Sequence, residues 1–155
     1  MKISGVSKIA ATVALVGAMS FAVLTLAADF DAIKARRALM KQDGQNSKLL
    51  FDMNQGTVAF DAGKATEAAT AVSKLGHTFG TEFDKYFPDN SKTGDTKASP
   101  DIWANKDDLK ARFASLEADA KAIADAAPQG ADAFKAAFAK LGGDCKGCHE
   151  KYKLN

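Results

Sequence analysis

The stretch ADAFKAAFAKLGGDCKGCHEKYK, residues 131–153, settles the fold class. Phe134, Phe138, Leu141, Cys145, Cys148 and Tyr152 recur at steps of four, three, four, three and four. That rhythm places all six on one face of an α-helix and has no counterpart in a strand. Working back towards the N-terminus, three more segments carry the same periodicity. Residues from about Asp31 to Asn54 have apolar positions at Ile33, Leu39, Met40, Leu49, Leu50 and Met53, with Gly44 and Asn46 weakening the middle. A second segment, from about Ala62 to Lys85, runs along Ala65, Ala69, Val72, Leu75, Phe79 and Phe83. The third begins near Pro100, with Ser99 as its N-cap and proline at the first helical position, and follows Leu109, Phe113, Leu116, Ala120, Ile123 and Ala127. Turn-rich residues 56–63, 88–99 and 128–130 separate the four segments. Four amphipathic helices with mostly short connections predict an all-α chain, an antiparallel up-down-up-down four-helix bundle.

Residues 1–27 stand apart from this domain. Met1-Lys2 and Lys8 make a basic start, Ile9 to Leu26 is an apolar run, and Thr25-Leu26-Ala27 places small residues before a cut. This is the layout of a cleaved secretory signal peptide, which predicts an exported, periplasmic protein comprising residues 28–155. An uncleaved anchor is the alternative, since the run approaches the ~20 residues needed to span a bilayer. The small-residue site favours removal, and no stable membrane insertion is then expected. Cleavage takes Lys2 and Lys8 from a total of 21 basic residues and none of the 19 acidic ones, so the mature chain is balanced in charge. That balance argues against nucleic acid as a partner.

Only two cysteines occur, in Cys145-Lys146-Gly147-Cys148-His149. This is the spacing of c-type haem attachment. Two thiols add to the two haem vinyl groups, and the adjacent histidine reaches the iron from the proximal face. Cys145, Cys148 and His149 fall at i, i+3 and i+4 on the helical face already described, so one haem c would be held inside the bundle. A redox dithiol is the first alternative, but it requires a strand–helix setting with the motif opening the helix. A zinc site is the second; it would need a fourth ligand, and His77 is the only other histidine, on the polar side of its helix.

A bundle with its haem motif close to the C-terminus resembles the class II c-type cytochromes, the cytochrome c′ group. The ending Cys145-Lys146-Gly147-Cys148-His149-Glu150-Lys151-Tyr152-Lys153 is similar to that family's Cys-X-X-Cys-His-X-X-Tyr followed by a basic residue, although relatives often have arginine at the place of Lys153. Ile102-Trp103, after Ser99-Pro100, resembles the family's third-helix start. The first-helix stretch Arg36-Arg37-Ala38-Leu39-Met40 matches the segment that carries the distal residue, here Met40. The resemblance implies Met40 as a sixth iron ligand, as in the low-spin cytochrome c-556 type, and Arg36 as a haem propionate contact. Trp103 and Tyr152 are expected to pack near the porphyrin.

Once residues 1–27 are removed, Met40 and Met53 are the only methionines. Thirteen residues on a helix separate them by about 20 Å and roughly 220°, so they cannot both face one haem. The start of helix one lies beside the end of helix four in this topology, which favours Met40. From the residues alone, Met40 as ligand and Met40 as core filler both stand. The resemblance implies a one-electron carrier, with redox proteins as partners and pairing of two copies left open; no constellation of nucleophile and base is visible in the sequence, so no enzyme is expected. The alternative is a five-coordinate cytochrome c′ that binds nitric oxide or carbon monoxide.

Overall fold

Aspartate side chains begin the first two helices. Asp31 accepts a hydrogen bond from the Lys34 amide at 2.9 Å, and Asp61 does the same for Lys64 at 2.9 Å, satisfying donors that a helix start leaves open. The structure, a computed structural model, describes residues 30–155; the expected signal peptide lies outside the described residues. Helix α1 spans Ala32–Gln55 and ends at Gly56, whose φ of 75° lets its N–H turn back to the last carbonyls. The chain runs helically through Gly44 and Asn46, so the expected weak point does not break α1. None of the helices among the described residues is long and apolar enough to cross a membrane.

The other three expected helices form, but each is interrupted. The second is α2, Ala62–Thr81, followed past a bend at Glu82 by α3, Phe83–Tyr86. The third is α4, Asp101–Ala104, and α5, Lys106–Ala126, divided at Asn105, whose side-chain amide donates to the Asp101 carbonyl at 3.0 Å. Ser99 does cap this arm: its Oγ accepts from the Asp101 amide at 3.2 Å, and Pro100 already has helical dihedrals. The fourth is α6, Ala131–Phe138, and α7, Leu141–Tyr152. That break sits beside Gly142-Gly143, two consecutive residues of low helix propensity. The four arms form an antiparallel four-helix bundle.

The tightest contact joins α2 to α5. A Cβ on Gly76 would stand 2.7 Å from the Phe113 carbonyl oxygen and 2.8 Å from the Glu117 amide nitrogen. Ser73 reinforces the approach by donating to the Glu117 carbonyl at 3.1 Å. Phe79, Phe87 and Phe113 meet beside this contact with ring centroids 5.2 to 5.9 Å apart. At the far end of the chain, Ser99 N donates to Tyr152 O at 2.9 Å and Leu154 N to Lys97 O at 2.8 Å. The segment before α4 is thereby laid along the chain's C-terminal end.

Replacing Gly76 by alanine should force α2 and α5 apart and cost about 1–3 kcal/mol, because backbone atoms cannot yield as a flexible side chain can. Urea denaturation should show this as a lower midpoint with an unchanged slope.

Candidate haem site between helices α1 and α7

The haem motif occupies the middle of α7, and α5 fixes that helix. The Asp108 carboxylate on α5 accepts from the Tyr152 hydroxyl, from Arg112 Nε at 2.9 Å and from Lys151 Nζ at 3.1 Å. The Tyr152 hydroxyl, then Arg112 and Lys151, hold the Asp108 carboxyl well below the usual carboxylate range. Arg112 also reaches the motif itself, with Nη1 3.4 Å from where a Gly147 Cβ would stand.

From α7, Cys145, Cys148, His149 and Tyr152 line a cavity of about 850 Å³, within the usual range for sites that enclose a small organic ligand. Met40, Asp43 and Ser47 line it from α1, and Phe79, Phe87 and Phe113 contribute its aromatic wall. Met53, the other methionine, is 2% exposed in the core and is not among the lining residues. The two methionines therefore separate as helical geometry requires.

Arg36 is buried, although surface arginines are usually solvated. Its Nη1 donates to the Tyr86 carbonyl and to Ser91 Oγ at 2.8 Å; its Nη2 donates to the Ser91 carbonyl at 3.2 Å and to Thr96 Oγ1 at 3.5 Å. The guanidinium also lies 5.0 Å from the Phe87 ring centroid. Burial pulls its pKa down and Asp31 opposes that. Four of its five N–H groups are therefore committed to Tyr86 at the end of α3 and to the segment between α3 and α4, and the fifth, on Nε, is left. Arg37, next in sequence, is exposed and pairs with Asp95.

The thiols have the wrong electrostatics for dithiol redox chemistry. Burial, followed by Asp43 and Asp144, pushes Cys145 up to about 11, and burial also raises Cys148. A reactive dithiol needs a lowered thiol pKa. His149 is reachable from the cavity, yet the protein around it and then the Lys153 charge hold its pKa below the ordinary value. A neutral imidazole is the form that ligates a metal. His77 pairs with Glu117 at 3.1 Å and does not line the cavity, so it brings no fourth ligand for zinc. Trp103 departs from expectation: it does not line the cavity, and its indole N–H donates to the Phe87 carbonyl at 2.9 Å.

These residues fit a haem. One wall offers two thiols and an imidazole on a single helical face, the lining is aromatic, and a thioether stands on the neighbouring helix. Sequence reasoning missed Asp108 and Arg112, for which the only signal was their i, i+4 spacing. It also missed Asp43, whose side chain the fold turns inward. Asp43 Oδ1, Ser47 Oγ and Asp144 Oδ2 are buried without hydrogen-bond partners.

Known proteins match this arrangement along nearly the whole of residues 30–155. The family profile described as Cytochrome C′ covers residues 31–153. A cytochrome c-556 of Agrobacterium fabrum is 35% identical over 142 residues, 90% of this chain and 94% of its own. A cytochrome c′ of Rhodopseudomonas palustris is 32% identical over 127 residues, 81% of this chain and 84% of its own. Among solved structures, the cytochrome c′ from Rhodopseudomonas palustris superimposes with a TM-score of 0.73 at 31% identity, covering 81% of this chain and 98% of that one. A cytochrome c′ with ligand-controlled dimer dissociation gives 0.69 at 26% identity, covering 80% and 95%.

Burial raises the Asp43 carboxyl from its ordinary 3.8 to about 6. The folded chain therefore holds a proton there that the unfolded chain has lost between those values. The cost to stability is absent below pH 3.8, grows with rising pH and is complete above about 6. Asp43→Asn should be more stable than the parent at pH 7, on the order of 1–3 kcal/mol, with the gap closing by pH 4. Urea denaturation at the two pH values measures it.

Proposed function

Because the chain belongs to the cytochrome c′ family, whose members bind one covalently attached haem c, we propose that it is a periplasmic one-electron carrier. In this reading the iron is held by His149 and Met40, as in the c-556 type. The observation that carries it is the meeting of Met40 from α1 with Cys145, Cys148 and His149 from α7 along one cavity, while Met53 stays in the core. Bound haem supplies the ferric–ferrous couple.

The chain's own residues do the rest. The Cys145 and Cys148 thiols would hold the haem as thioethers, by an addition across its two vinyl groups that needs no oxidant. His149, with its lowered pKa, offers a neutral nitrogen lone pair. Met40 offers a soft thioether, which raises the potential relative to a two-nitrogen site. The Asp108 cluster fixes α7, and the Arg36 bonds fix α1 to the segment before α4. Ligands held this way change position little between redox states, and no substrate chemistry is assigned to them. Arg36 has one N–H, on Nε, for a haem propionate, and its buried charge favours the ferrous state. Export through the signal at residues 1–27 places the protein in the periplasm, with redox proteins as partners. Pairing of two copies belongs to the same reading, since one similar cytochrome c′ forms a dimer.

A second reading follows from the relatives called cytochrome c′, which match this chain at 32% and 34% identity. There Met40 stays off the iron, which is five-coordinate and takes nitric oxide or carbon monoxide.

Optical and EPR spectra of the exported protein, with and without carbon monoxide, separate the two. The carrier reading expects a low-spin haem indifferent to carbon monoxide, and Met40→Ala should turn it high-spin and gas-binding. A high-spin, gas-binding parent would replace it with the second reading. Arg36→Leu should lower the midpoint potential by something on the order of tens of millivolts, because a cation that favours the reduced iron is lost. Equilibrium redox titration reads that shift.

A further inference from the structure

Helix α7 buries its first and last residues, Leu141 and Tyr152, and leaves the rest half-buried or exposed. Between those ends Cys145, Cys148 and His149 face the cavity that α1 lines from the other side. Asp43 Oδ1 and Ser47 Oγ on α1 and Asp144 Oδ2 on α7 are buried there without hydrogen-bond partners. Water would relieve the cost of burying such atoms, so they work against closure of α7 on α1.

The two ends of α7 are built differently. The N-terminal end follows the break at Ala139-Lys140 and holds Gly142 and Gly143, where a Cβ would meet nothing within 4 Å. Paired glycines without packed neighbours make a joint that turns at low cost. The C-terminal end is tied to two other parts of the chain. Tyr152 Oη, Lys151 Nζ and Arg112 Nε all donate to one oxygen, Asp108 Oδ2. The Tyr152 carbonyl accepts from the Ser99 amide at 2.9 Å, and the Leu154 amide donates to the Lys97 carbonyl at 2.8 Å.

We propose that α7 is an arm hinged at Gly142-Gly143 and latched by Tyr152 on Asp108, and that the latch keeps Met40 within reach of the iron held by His149. The proposal rests on the reading of Met40 as sixth ligand and adds the residues that position it. Cys145, Cys148 and His149 all sit on the swinging part of α7, whereas Met40 belongs to α1, which Arg36 anchors separately. A swing of α7 therefore carries the first three together and opens the gap between His149 and Met40. His149 lies six residues beyond Gly143, about 9 Å along a helix, so a rotation of about 15° moves it about 2 Å. That displacement is comparable to the length of a metal–ligand bond. With the latch shut the protein is the electron carrier. With it released, the same chain presents the open iron of the second reading, and the latch sets the ratio of the two states.

The test is carbon monoxide binding to the haem-loaded ferrous protein, followed by stopped flow. Tyr152→Phe removes the hydroxyl and keeps the ring; it should speed binding on the order of tenfold by raising the open fraction. Asp108→Asn should act in the same direction. Gly142→Ala combined with Gly143→Ala should slow binding, because the added methyl groups find free space and stiffen the helix. A general loss of stability would not give opposite signs at the two ends. In a Met40→Ala background, Tyr152→Phe should add little, since the bond that the latch protects is already gone. Hydrogen exchange in Tyr152→Phe should rise within residues 139–153 and 97–99 alone. Unchanged rates in both latch variants of a low-spin parent would overturn the proposal, as would exchange that rises evenly along the chain. A high-spin parent would instead remove Met40 ligation and with it that half of the proposal, and the exchange pattern would then decide the hinge and the latch.

Discussion

Asp108 receives the Tyr152 hydroxyl, the Arg112 guanidinium and the Lys151 ammonium on one carboxylate, and the haem site depends on that convergence. α7 is a short helix with two glycines near its start, and by propensity alone it would be the least secure of the main arms. Three donors from α5 and α7 meeting on one anion fix the helix end that carries Cys148 and His149. The charge pulls in the other direction as well: so many donors keep Asp108 ionised far below the ordinary carboxylate range, so the clamp holds through neutral and mildly acidic conditions.

Arg36 does the equivalent service for α1. Its guanidinium enters the protein to bind the carbonyls of Tyr86 and Ser91 and the hydroxyls of Ser91 and Thr96, and it faces the Phe87 ring. Burying a cation is tolerable only when its donors are met, and here four of them are. The segment between α3 and α4 therefore shapes one side of the cavity instead of hanging free. Gly76 sets the remaining wall, since the close approach of α2 to α5 brings Phe79 and Phe113 together.

Much of this was legible in the chain. The three- and four-residue rhythm marks four helical arms, and Ser99-Pro100 marks the start of the third in the way capping chemistry requires. The interruptions at Glu82, Asn105 and Ala139-Lys140 were not legible, because they depend on how each arm bends over its neighbours. The cofactor was readable from the Cys145 to His149 spacing, since the distance between two vinyl groups and the reach of an adjacent histidine are local properties. Met40 and Met53 could be told apart by rotation around a helix, which is local as well.

What local pattern could not carry is anything that joins distant residues. Arg36 reads as a surface charge until the loop from Tyr86 to Thr96 folds over it, and Trp103 reads as a haem neighbour until its indole N–H finds the Phe87 carbonyl. Lys34, Lys41, Lys97 and Lys153 are four unremarkable lysines among the 21 basic residues of the chain, and their gathering around one opening exists only in the folded protein. The sequence by itself determined the helices, their caps and the covalent chemistry of the motif, because these depend on residues within a turn or two of each other. Tertiary structure alone decided the shape of the cavity, the partners of its buried charges and the field at its mouth, because those depend on side chains that meet only when the helices pack.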